Sequence, residues 1–204
     1  MRRIFGRERR GTPADLLVVG LANPGAEHER TRHNVGGEVV ELLADRHGAG
    51  LKHEKGQLAR TAEVTIDGRR LALAIPTTYM NESGQAVRPL VRRYGIEDPE
   101  NLVVVHDELD LEPGRVKVKL GGGLAGNNGL QSIRQHLHTA DFARIRVGIG
   151  KPPTKERGAD HVLSRPGKAE RTELDIAVRE AADAVEQMLA DGVESAMQRV
   201  NARG

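Results

Sequence analysis

Leu16–Asn34 reads LLVVGLANPGAEHERTRHN, and this stretch decides the architecture. Its first part, Leu16 to Leu21, is apolar and uncharged. A short apolar run closed by turn residues marks a buried strand. The run stops at Asn23-Pro24-Gly25, a turn signal. In open α/β sheets ligands collect at the C-terminal strand edge. Such a strand delivers Asn23 to that edge, and the loop brings His33 back beside it. Asparagine supplies a donor and an acceptor, and histidine supplies a base that titrates near neutral pH.

Working outward, Gly36 to His47 places Val39, Val40, Leu42 and Leu43 at i, i+3, i+4 spacing, which predicts an amphipathic helix ended near Gly48. Leu58–Ile66 and Arg70–Pro76 flank Asp67-Gly68, a two-residue hairpin signal. Val87, Leu90, Val91 and Tyr94 predict a helix over Ser83 to Tyr94, with Asn81 near its start. Leu102–Val105 is a continuous apolar strand ending in His106-Asp107-Glu108-Leu109-Asp110. Val116 to Leu120 alternates apolar and basic residues, the pattern of a strand with one wet face. A glycine-rich loop, 121–129, leads to a helix over Leu130 to Leu137. Ala143–Gly150 alternates again, with Arg144 and Arg146 on one face. Lys151 to Ala159 reads as a polar loop and His161-Val162-Leu163 as a short extended piece. Two apolar stripes, Leu174 to Met188 and Val193 to Val200, predict terminal helices packed on the core. Strands interleaved with helices, plus one hairpin, predict an α/β fold. It is a single-domain three-layer sandwich, a twisted mixed sheet with helices on both faces. Residues 1–14 are expected to form a basic, flexible arm and 15–204 the domain.

The 204 residues suit one domain with a sizeable core. The absence of cysteine excludes disulfides, zinc thiolates and a cysteine nucleophile, and fits a reducing, cytoplasmic setting. No apolar stretch approaches the roughly 18 residues of a membrane span. The net charge is +2, but the charges are segregated. Arg115 to Arg157 holds nine Lys or Arg against Asp141 and Glu156, whereas Lys168 to Arg203 holds eight acids and five bases. This asymmetry suggests a side that faces a polyanion; a merely solvated face is the competing reading.

Gly20-Leu-Ala-Asn-Pro-Gly25 misses the dinucleotide fingerprint, because Ala22 replaces the middle glycine and a polar loop follows. Gly121-Gly122-Gly123 is not a phosphate loop, since no Gly-Lys-Ser/Thr follows. His106-Asp107 could suggest a metal, but no second histidine cluster supports it. A carboxylate at a strand edge that orients a histidine fits better. No serine sits in G-x-S-x-G, so a His–Asp pair would activate water. Asn23, Asn81 and Asn128 fall at loop or helix starts and could donate to developing oxyanion charge; taken singly, each could be only a turn former.

Together these motifs identify the chain as a member of the bacterial-type peptidyl-tRNA hydrolase family. The matching stretches are GLANPG…TRHNVGG (20–37), PTTYMNESGQAV (76–87), VVVHDELDLEPGRVKVKLGGG (103–123), NNGLQSI (127–133) and RIRVGIGKP (144–152). The resemblance implies a monomeric cytoplasmic hydrolase, without metal or organic cofactor, that cleaves the ester between a peptide and the 3′-terminal ribose of tRNA. It implies His33 as the base, Asp107 as its orienting carboxylate and Asn23 as a catalytic and binding residue. Met80, Tyr79, Asn81, Asn128 and His28 fall in the substrate-binding set, and Lys117, Lys119, Arg146 and Arg144 at positions that engage tRNA phosphates. The family's loop usually has a histidine where this chain has Asn127, and an aromatic where His28 stands. The altered 124–127 loop leaves one alternative, a tRNA-binding paralogue with weakened hydrolysis; the His106-Asp107 pair leaves another, a metal-dependent amidohydrolase.

Overall fold

A computed structural model describes residues 12–54 and 56–203. The apolar run forms β1 (Leu16–Gly20), and all five of its residues are buried. A 3₁₀ turn, Arg32–Asn34, then leads into α1 (Val35–Arg46). The short β2 (Lys52–His53) pairs with β3 (Ala59–Ile66), which forms a hairpin with β4 (Arg69–Pro76). Asp67 and Gly68 have φ of 48° and 78°, the two positive values that a type I′ turn needs to match strand twist. Next come α2 (Ser83–Arg93), β5 (Leu102–Glu108), β6 (Val116–Leu120), α3 (Asn128–Leu137) and β7 (Ala143–Gly148). The chain ends in α4 (Gly158–Leu163), α5 (Lys168–Asp191) and α6 (Val193–Asn201).

The seven strands lie in the order β2-β3-β4-β1-β5-β7-β6. The centre is parallel: β1 pairs with β4 and β5, and β5 with β7. The edges are antiparallel. Side chains alternate across the sheet and build two cores. Val18, Val105, Ile145 and Val118 pack under α1, α5 and α6, while Leu17, Val19, Val104 and Phe142 pack under α2 and α3. The predicted α/β sandwich with a mixed sheet is therefore what forms. The exposed edge of β6 is closed by Asn201, whose side chain donates to Val118 O and accepts from Val118 N, both at 2.9 Å.

Three local readings need correction. β5 does not stop at Val105: pairing with β7 carries it through His106, Asp107 and Glu108. His161-Val162-Leu163 is helical, within α4. The β7 strand ends at Gly148, where a Cβ would lie 2.1 Å from the Glu112 carbonyl. Most of the expected basic arm lies outside the described residues; Ala14, at its end, already donates its N–H to Tyr94 O at 2.9 Å.

His106 is a buried core histidine. The neighbouring carbonyl of Asp107 can only accept, so His106 Nδ1 donates to it, at 2.7 Å. Burial pushes its pKa below the ordinary value, opposed by Asp107 and Glu108 and aided by Arg144. The unfolded chain takes up this proton below about pH 6.5, before the folded chain does. Stability from this group is thus complete above that pH and is lost as pH falls below it, by up to about 1.4 kcal/mol per pH unit. Urea midpoints from pH 7.5 to 5.5 should fall, and His106→Asn should flatten that fall; an unchanged slope would contradict the account.

Candidate active site

A cleft of about 510 Å³ opens at the C-terminal ends of β1 and β5. Asn23, His33, Tyr79, Met80, Asn81, Asp107 and Asn128 all line it, although they come from five separate segments. His33 is carried there because α1 crosses β1 with its backbone nearly touching the strand. A Cβ on Gly20 would sit 2.1 Å from the Gly36 carbonyl oxygen, and one on Gly36 would sit 2.2 Å from that of Val105. Only glycine at both positions permits the crossing.

His33 Nδ1 lies 2.9 Å from Asp107 Oδ1, with Asp107 buried and His33 14% exposed at its side chain. An ionised carboxylate only accepts, so Nδ1 carries the proton and Nε2 is left as the basic nitrogen. The extension of β5 explains the selection of Asp107. Alternation sends His106 and Glu108 to the α2/α3 side and Asp107 to the side where His33 arrives. The three side chains therefore do not converge, which removes the physical basis for a His106–Asp107 metal pair. Among the described residues no three His, Asp or Glu gather in a metal-binding arrangement.

Asn23 is held on three sides. Its N–H donates to Asn34 Oδ1 and its carbonyl accepts from Asn34 Nδ2, both at 2.9 Å. Its Oδ1 accepts from Met80 N at 2.7 Å. With the oxygen so engaged, Nδ2 is the group that can donate into the cleft. Asn81 and Asn128 are exposed on the rim, Met80 is buried beneath it, and Tyr79 is 57% exposed at the mouth. Asn127 caps α3, its Oδ1 accepting from Leu130 N at 3.0 Å. The departure in this loop thus has a structural use and leaves Asn128 in the cleft.

A family model for peptidyl-tRNA hydrolase matches residues 17–204. The chain belongs to the peptidyl-tRNA hydrolase family. Enzymes of that name from Mycobacterium bovis and Mycobacterium tuberculosis are 49% identical over 187 residues, 92% of this chain and 97% of theirs. The crystal structure of a peptidyl-tRNA hydrolase in complex with N-propanol superposes with a TM-score of 0.87 at 42% identity, covering 92% of this chain and 94% of that one. The enzyme from Acinetobacter baumannii gives 0.86 at 40%, covering 97% and 98%.

Two residues of the family-derived set stand apart from the others. His28 lies outside the cleft: Gly25, at φ 107°, turns the chain into a separate 3₁₀ turn, where His28 faces Glu27 at 3.8 Å. Arg144 is 1% exposed, with its guanidinium turned to main-chain carbonyls of the glycine-rich loop rather than to the open face. Lys117, Lys119 and Arg146 are only partly covered, on the same sheet face as Arg144, with Lys117 opposite Arg146 and Lys119 opposite Arg144. Lys117 Nζ donates to Asn201 O at 2.9 Å, and Arg146 Nε to Glu108 Oε2 at 2.9 Å.

The sequence reading missed three parts. Asn34 clamps Asn23, a role with no motif signal. Val162 and Leu163 of α4 line the cleft; the apolar positions Ala159, Val162 and Leu163, spaced i, i+3, i+4, were the available sign. Arg32, next to His33, ties α4 and α5 to the site. It pairs with both oxygens of Glu170, at 2.5 and 2.6 Å, and donates to Ser164 Oγ and His161 O.

Proposed function

We propose that this cleft hydrolyses the ester between a peptide, or an N-blocked amino acid, and the 3′-terminal ribose of tRNA, recycling peptidyl-tRNA dropped from ribosomes. The observation that carries the chemistry is the His33–Asp107 pair at 2.9 Å on the cleft wall. A water takes its place between His33 Nε2 and the ester carbonyl carbon. Nε2 removes one proton as the water oxygen attacks, and Asp107 holds the imidazolium that results. Asn23 Nδ2 donates to the carbonyl oxygen as it gains charge. Collapse of the tetrahedral intermediate breaks the bond to the ribose oxygen, which takes the proton back from His33. The products are a peptide carboxylic acid, which ionises, and a tRNA with a free ribose hydroxyl. The apolar wall of Met80, Leu109, Val162 and Leu163 suits the peptide side chains. The reading carries with it a monomer acting in the cytoplasm.

The strip of Lys117, Lys119 and Arg146 is the proposed tRNA dock. Affinity should then come from phosphate contacts and weaken with salt. Lys119→Ala combined with Arg146→Ala is expected to reduce the slope of log affinity against log salt by roughly 1.5 to 2. Filter binding of tRNA between 50 and 300 mM salt measures it; an unaltered slope would remove the dock from this face.

A further inference from the structure

Arg144 is a buried cation that makes no ion pair with a described residue. Burial pushes its pKa down; Arg146 adds to this and Glu108 opposes it. Such a burial is costly unless the charge is well satisfied by hydrogen bonds. The partners here are main-chain carbonyls of the glycine-rich loop. Nη1 donates to Gly123 O at 2.9 Å and Nη2 to Gly121 O. The planar fork thus holds two carbonyls two residues apart, across a bend where Gly121 and Gly122 have φ of 62° and 82°. The loop then anchors Leu124 in the core and runs along the cleft as Ala125, Gly126, Asn127 and Asn128.

We propose that Arg144 is a positioning residue, whose guanidinium fixes the entry of the glycine-rich loop and so places Asn128 at the cleft. It contacts neither tRNA nor the reacting atoms. Backbone glycines at positive φ have little conformational preference of their own, so the loop needs an external clamp. A lysine at this position supplies no fork. The inference rests on the cleft being the reaction site, since the loop matters for turnover only there.

The test compares wild type, R144Q and R144K in the full chain, using an N-blocked aminoacyl-tRNA. R144Q is expected to lower kcat about tenfold or more, because small displacements of positioned groups are expensive in rate. KM should stay within about threefold and the salt slope of tRNA binding should not change. Amide exchange should quicken over residues 121–128, and R144K should fall between the other two. If R144Q fails to fold, R144K decides by the same readouts. A slope reduced by about one with kcat intact would mean that Arg144 meets a phosphate. Wild-type kcat and loop exchange would mean that it holds nothing that matters. Either result overturns the inference, whereas an inactive wild type would instead defeat the reading of the cleft.

Discussion

His33→Ala is expected to lower kcat/KM on peptidyl-tRNA by about 10² to 10⁴-fold, the range that a positioned general base contributes, while stability and tRNA affinity hardly change. His33 is partly exposed, and among the described residues its ring makes one hydrogen bond, to Asp107, so its loss leaves no large cavity. Asp107→Asn should lose activity on a similar scale for a different reason. An amide that turns its NH₂ toward the ring favours the tautomer with the proton on Nε2, which cannot take one from water. Circular dichroism and tRNA binding serve as controls in both cases. Normal turnover by folded His33→Ala would exclude the base.

Gly36→Ala is expected to damage fold and activity together. Its Cβ would lie 2.2 Å from Val105 O and 2.8 Å from Leu21 N. These two atoms are the partners of the hydrogen bond, 3.0 Å long, that ties the end of β1 to β5. Backbone on both sides cannot yield as a flexible side chain would, so α1 must move away. The expected loss is about 3 kcal/mol or more in unfolding free energy. The turn bearing His33 directly precedes this helix, so kcat/KM falls with it. Gly50→Ala, which meets only open space, is the matched control. A variant within about 1 kcal/mol of wild type would show that the crossing is looser than described.

Much of this fold was legible because buried parallel strands are written as unbroken apolar runs, as in Leu16–Gly20 and Leu102–Val105. The Asp67-Gly68 turn was equally plain, since few dipeptides accept two positive φ values. What failed to show is explained by context. The polar end of β5 is strand only because β7 lies beside it, and the two-residue β2 is too short for a periodic pattern. Alternation placed Arg144 and Arg146 on one face, correctly, but a face is not a depth. Arg146 reaches the open part of that face, while Arg144 is covered by the loop it holds. Asn34 carries no periodic or motif signal of its role, because its side chain works across eleven residues, on Asn23.

The most direct measurement is release of an N-acetylated amino acid from its tRNA by the wild-type chain, with chelator present and unblocked aminoacyl-tRNA alongside. The account predicts rapid release from the blocked substrate, indifference to the chelator and little release from the unblocked one. Bound tRNA with no release would contradict it and leave a binding protein, and loss of activity with chelator would return the reaction to a metal.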